Sequence, residues 1–357
     1  MKIDIHCHVV GNGSDMGQVD TDVYFNPHDN QHWFTRILYN LLEEDLIRLE
    51  ADLNEDGKIS TQEYFDLLYR LVTSSEEIEG VVLLALDALY NPGTGALDPI
   101  KTDLWISNVF LNRKVTELNE RLQKESDPRR RNKRFFLGAS VSPNRKDWES
   151  ELEYILTQTK AVLVKWIPSV QHITLMDDGH RAFYEALSSN HMPLLCHVGP
   201  EYSFPEGIYE KELDHFRYLE KALDCGVTVI AAHCATPVFP MIDINQTKEF
   251  HAFMENANGD GIIRLWADTS ALSLATRIHL IPEILKTFPS KWLVHGTDFP
   301  IPIDSWPHLP WVTPHMTFEE YIQIGKTKNP FDRDVRIKRA HGFPNAILEN
   351  AEKILRF

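Results

Sequence analysis

Cysteine is scarce, at 4 of 357 residues, and no two are spaced as Cys-x-x-Cys, so the chain is not a disulfide scaffold. Long apolar runs are missing. None approaches the ~18 residues that a membrane-spanning helix needs, which sets a transmembrane role aside. A cleaved leader is not apparent either, because Met1-Lys2 runs straight into the strand-like Ile3-Asp4-Ile5-His6-Cys7-His8. The expectation is an intracellular, cytoplasmic protein. Positive charge is in short supply: 36 Lys and Arg face 52 Asp and Glu, a net −16. That balance argues against a nucleic-acid surface and against an anionic membrane. No Gly-x-Gly-x-x-Gly follows a candidate strand, and neither Gly-x-Ser-x-Gly nor a phosphate-cradling loop ending in Gly-Lys-Ser/Thr occurs. Dinucleotide binding, serine-esterase chemistry and P-loop nucleotide hydrolysis find no support.

What is present is repetition. Short apolar runs near 2–8, 80–87, 135–141, 161–167, 193–198, 227–232, 262–268 and 291–296 alternate with segments of helical periodicity such as Trp148 to Lys160, Gly179 to Ser189, Leu213 to Asp224 and Arg277 to Thr287. Eight strand–helix units in a chain of this length predict an α/β fold, a (β/α)8 TIM barrel spanning 1–357 as one domain. Three connections, roughly 9–79, 88–134 and 299–340, exceed plain loops. They are expected to wall the C-terminal mouth of the barrel, with 11–79 forming a helical cap inserted after the first strand.

Polar residues close the apolar runs. His6 and His8 stand two apart on the first strand, so the two-residue period of a strand turns both imidazoles to one face. Lys165, His197, His233, Asp268 and Asp298 then follow at intervals of about one βα unit. Five successive strand ends thus deliver a polar group to one rim, the rim where barrel enzymes carry their sites. Unpaired, such groups would cost several kcal/mol on burial. Imidazoles with a carboxylate suit Zn²⁺, with Mn²⁺, Fe²⁺ or Co²⁺ also open, and such a cation acidifies bound water or polarises a carbonyl. Asp298 can accept the proton of that water. Cys7, Cys196 and Cys234 adjoin these histidines in sequence and are expected to point the other way, as packing thiols.

On these residues the chain resembles the amidohydrolase superfamily, in particular the amidohydrolase-related branch that includes aminocarboxymuconate-semialdehyde decarboxylase. The matching stretches are Ile3 to His8, Val164-Lys165-Trp166-Ile167-Pro168 with Gln171, Pro193 to Gly199, Ala231-Ala232-His233, Ala267 to Ser270, His295-Gly296-Thr297-Asp298-Phe299-Pro300 and the closing segment Asn345 to Arg356. The resemblance covers about 130–357 plus the first ten residues, and fails over 11–79. It implies His6, His8, His197 and Asp298 as ligands of one divalent metal and His233 as a catalytic neighbour. It leaves two roles for Lys165, a carboxylated bridge between two metals or, as we read it, an unmodified ammonium that binds a substrate anion.

A second metal motif lies in the expected cap. Asp52-Leu53-Asn54-Glu55-Asp56-Gly57-Lys58-Ile59-Ser60-Thr61-Gln62-Glu63 matches an EF-hand loop over 52–63. Asp52, Asn54, Asp56 and Glu63 offer side-chain oxygens to Ca²⁺, Lys58 its carbonyl, and Ser60 a water. Helices are expected on both flanks, over Trp33 to Ala51 and Gln62 to Val72. No second loop is present to pair with it, so a structural role is expected.

The reading that joins these features is a hydrolase. It would use metal-activated water to cleave a C–N or C–O bond of a small carboxylated substrate, with Asp298 and His233 catalytic and Lys165 on the substrate. Non-oxidative decarboxylation at the same metal is the rival among enzymes, and a calcium-responsive binding protein without turnover the rival outside them. Self-association stays open. Trp306, His308, Trp311 and His315 serve equally well as pocket lining or rim packing.

Overall fold

The computed structural model describes residues 1–10, 23–25, 33–52, 59–239, 241–301 and 316–357. Eight strands form one all-parallel sheet: β1 (Ile3–His8), β3 (Gly80–Leu84), β5 (Arg134–Ala139), β6 (Ala161–Trp166), β7 (Leu194–Cys196), β8 (Val229–Ala231), β9 (Leu265–Asp268) and β10 (Leu293–Val294), paired in that order. The sheet closes on itself. Ile5 N donates to His295 O at 3.1 Å, Asp298 N to His6 O at 2.8 Å and His8 N to Phe299 O at 2.8 Å, so the first strand pairs with the chain in and beyond the last. All eight expected strands are therefore found, and they make the (β/α)8 barrel.

Period-two alternation sorts their side chains. Ile3, Ile5, Val82, Leu84, Leu163, Leu195, Ile230, Trp266 and Val294 fill the barrel interior, and Ile354 and Leu355 from the C-terminal segment join them. Arg356 N donates to Val162 O at 3.0 Å, which places that segment beneath the N-terminal ends of the strands. The opposite set of side chains faces the helices. Cys7, Cys196 and Cys234 are buried there, unbridged, in the core between sheet and helices.

Among its described residues the 11–79 connection holds two helices, α1 (Trp33–Arg48) and α2 (Thr61–Ser74). Ser60 and Glu63 start α2 with a reciprocal capping box, and its Leu67, Leu68, Leu71 and Val72 are buried. Tyr69 stacks on Phe135 of β5, and the helix lies beside helix Pro330–Ala340 and the 128–131 turn. It thus stands in the outer helical ring as the helix of the first βα unit. Two ties lead from this connection to the rim: Tyr64 Oη donates to His8 O and Tyr39 Oη to Ser203 O, both at 2.7 Å.

Two features differ from the sequence reading. β2 (Val23–Phe25) and β4 (Leu104–Ile106) pair antiparallel as a ribbon between two of the long connections, too short to show periodicity. The helix expected over Leu213 to Asp224 is broken into pieces at Lys211–Asp214, Phe216–Leu219 and Glu220–Asp224. The His215 side chain accepts from Arg217 N at 3.2 Å and holds its own backbone extended, an alternative to continued helix. Among the described residues no helix is long and apolar enough to cross a membrane.

Candidate metal centre

A register shift in β1 builds the first half of the site. Asp4 pairs with Val81 and Cys7 with Leu83, so one extra residue is accommodated between them. Ile3 and Ile5 face the interior before the bulge, while His6 and His8 face it after. Bulges beside active sites re-aim side chains in this way. Asp298, from the turn after β10, has a left-handed backbone with φ 71° and carries its carboxylate to the same point.

The donor atoms of His6, His8 and Asp298 lie within 4.8 Å of one another. His6 Nε2 is 3.2 Å from His8 Nε2 and 3.3 Å from Asp298 Oδ1, and His8 Nε2 is 3.1 Å from that oxygen. His6, His233 and Asp268 form a second group of the same size. Asp268 is already committed: it accepts from His6 Nδ1 at 2.7 Å, from His233 N at 2.8 Å, from Ser270 N at 3.0 Å and from Ser270 Oγ. It fixes the His6 tautomer with Nδ1 protonated, leaving the Nε2 lone pair toward His8 and Asp298, the arrangement of a carboxylate behind a ligating imidazole.

His197 stands slightly apart. Its ring meets His233 edge to face at 5.0 Å, its Nδ1 is 3.6 Å from Glu201 Oε2, and its buried Nε2 has no hydrogen-bond partner among the described residues. A buried imidazole nitrogen left without a partner, on a ring packed against His233, is a free donor of the kind a divalent cation takes.

His233 is held by strain. His233, Cys234 and Ala235 are all left-handed, with φ of 57°, 51° and 51°. Such residues cost roughly 1–2 kcal/mol each. Asp268 fixes the His233 amide, and Thr236 returns its N–H and Oγ to His233 O at 3.0 and 2.7 Å. His233 Nδ1 lies 2.7 Å from Ser270 Oγ, whose own proton goes to Asp268, and 3.2 Å from Ser270 O, which can only accept, so this nitrogen carries the proton and Nε2 the lone pair.

Burial governs the charges. It lowers the pKa of His6 with help from Lys165, brings His197 down to about 4 and holds His233 well below the ordinary imidazole value. For Asp298 burial works the other way, but His233, His6 and His8 outweigh it and hold the carboxyl well below its ordinary value. At neutral pH His6, His197 and His233 are therefore neutral, and Asp268 and Asp298 ionised. Burial also lowers the pKa of Lys165, against Asp268 and Asp298; its Nζ lies 3.1 Å from His6 Nε2.

Of the residues singled out in the sequence, His6, His8, Lys165, His197, His233 and Asp298 share this rim. Asn54, Asp56 and Lys58 of the calcium loop, and Trp306, His308, Trp311 and His315, lie outside the described residues. Asp52 and Glu63 are described, and Glu63 Oε2 accepts from Ser60 N at 2.8 Å and Ser60 Oγ at 2.7 Å. The sequence reading passed over Ser270, Glu201 and Arg277. Ser270 had a signal two residues after Asp268; the other two sit in loops with no motif around them.

Fold and site together define a (β/α)8 barrel with a His/Asp cluster at its C-terminal rim. No protein-family model matches the chain, and no curated protein matches it. Among solved structures it is similar to an uncharacterised TIM-barrel protein from Bordetella bronchiseptica, with TM-score 0.50 and 14% identity over 94% of this chain and 98% of that one. It is also similar to a probable 2-pyrone-4,6-dicarboxylic acid hydrolase from Acinetobacter baumannii with citric acid bound, at TM-score 0.44 and 12% identity over 99% of each chain. A third is 5-carboxyvanillate decarboxylase from Sphingomonas paucimobilis, at 0.43 and 11% over 94% and 98%. The first agrees with the fold read from the strand order; at such identities the likeness is one of fold alone.

Proposed function

We propose that the chain is a metal-dependent hydrolase that cleaves a C–N or C–O bond of a small carboxylated molecule, with His6, His8, His197 and Asp298 holding one divalent transition metal, zinc in our reading. The observation that carries the proposal is the convergence of His6, His8 and Asp298 within 4.8 Å, to which His197 adds a buried Nε2 with no hydrogen-bond partner among the described residues. Bound there, such a cation would acidify water and polarise a carbonyl. Asp298, ionised and hydrogen-bonded to His8, takes the proton of the attacking water. His233, neutral with its Nε2 lone pair free of the Ser270 contact, relays that proton toward the leaving group. Lys165 remains an unmodified ammonium whose positive charge steadies the anionic substrate at the floor of the site. For the cap we infer one structural Ca²⁺ at 52–63, supported by the oxygen-donor spacing of that loop.

Metal analysis of purified protein tests both inferences, together with a screen of lactones, amides and aromatic carboxylates. About one transition metal per chain is expected, and calcium binding at millimolar concentrations or below. His6→Ala should lose that metal; Asp298→Asn should lose turnover by at least roughly 10²-fold with the circular dichroism unchanged. Full activity in metal-free protein would remove the hydrolase reading, and release of CO₂ in place of a hydrolysis product would move the chemistry to decarboxylation.

A further inference from the structure

We propose that Arg277 receives the carboxylate of the substrate at the edge of the metal centre, which rests on the hydrolase reading above and specifies which side chain selects the substrate. Arg277 lies in the loop after β9, the loop that also carries Ser270, and only 3% of it is exposed. Its Nε donates to Pro237 O at 3.3 Å, in the loop that follows His233. Among the described residues it makes no other hydrogen bond and no ion pair. No hydrogen bond to its two terminal nitrogens is found among the described residues. A guanidinium taken out of water without a counter-charge is costly, and a binding role accounts for its retention.

The acids whose charge it feels are Asp298, Glu201, Asp268 and Asp243. Each is engaged elsewhere. Asp298 lies against His6 and His8, and Asp268 takes His6, His233 and Ser270. Asp243 accepts from Tyr202 Oη at 2.6 Å, Val238 N at 3.0 Å and Phe239 N at 2.8 Å, and Glu201 accepts from Ser203 N. The Arg277 charge also opposes protonation of His197 and His233, and the Pro237 carbonyl that holds its Nε lies four residues after His233. The planar fork of a guanidinium matches a carboxylate with two parallel hydrogen bonds.

The test uses the full chain with its metal and titrates benzoate as the probe, with benzamide as the neutral isostere. Wild-type protein should bind benzoate at least about tenfold more tightly than benzamide. Arg277→Met should lose that preference, and Arg277→Lys, which keeps the charge but not the fork, should keep part of it, both with unchanged metal content. Equal affinity for the two probes in the wild type, or an undiminished preference in either variant, overturns the proposal. If the chain carries no transition metal and benzoate still binds through Arg277, the hydrolase reading falls and the carboxylate site stands.

Discussion

Asp4 is fully buried one residue before the bulge. Its Oδ1 accepts from His6 N and Thr297 N at 3.0 Å each, and its Oδ2 from Thr297 Oγ1 at 2.6 Å. Burial raises its pKa to about 7 in spite of those bonds and of Lys338. A folded pKa above the unfolded value means that the folded state holds the proton more tightly. The contribution of this group is therefore complete below about pH 4 and lost as the pH rises through about 7, a change on the order of a few kcal/mol. Asp4→Asn keeps the shape and removes the titration. Denaturation curves measured from pH 4 to 8 should show the wild type losing stability relative to the variant, and parallel curves would refute the assignment. At this scale the sequence was informative only where spacing encodes direction. His6 and His8 reveal themselves because two residues make one strand period, whereas Arg277 looked like the first residue of an amphipathic helix.

Elements were easier to read than their ends. Strands buried on both faces leave short apolar runs and helices leave an apolar stripe, so the eight strands of the barrel were legible. The β2–β4 ribbon is too short for a period, and the break at His215 depends on a side chain bonding its own neighbour. The C-terminus of α1 shows another such local decision. Glu50 is left-handed with φ 61°, and Ala51 N reaches back to Leu46 O at 3.0 Å, with Leu46 and Ala51 both buried in the main core. That is a Schellman motif with glutamate where glycine fits best. Glu50→Gly should stabilise the protein by roughly 1 kcal/mol, while Glu50→Ala, which removes the same charge but keeps a Cβ, should not. Urea midpoints of the two variants separate backbone strain from charge; equal midpoints would assign any gain to the lost carboxylate.

For the whole molecule, the barrel divides its labour between two faces. The N-terminal face is sealed by Ile354 and Leu355, and the ionisable groups gather at the other, so conserving the fold and tuning the chemistry draw on different residues. The same division explains what sequence could supply. The charge cluster was legible where a polar residue closes an apolar strand run, as at His6, Lys165 and Asp268, and not where it comes from a loop without a motif, as at Glu201 and Arg277.

One consequence follows from where the barrel closes. His6 and His8 belong to the first strand and Asp298 follows the last, and the bonds Ile5 N to His295 O, Asp298 N to His6 O and His8 N to Phe299 O run along that same junction. An ion held by these three side chains would act as a rivet across the two ends of the sheet. Stripping it with a chelator should let the junction breathe. The amides of Ile5, His8 and Asp298 should then exchange with deuterium faster by about tenfold or more, and those of β6 and β7 on the far wall hardly at all. Uniform acceleration around the barrel would mean that the ion serves chemistry and has no part in keeping the cylinder shut.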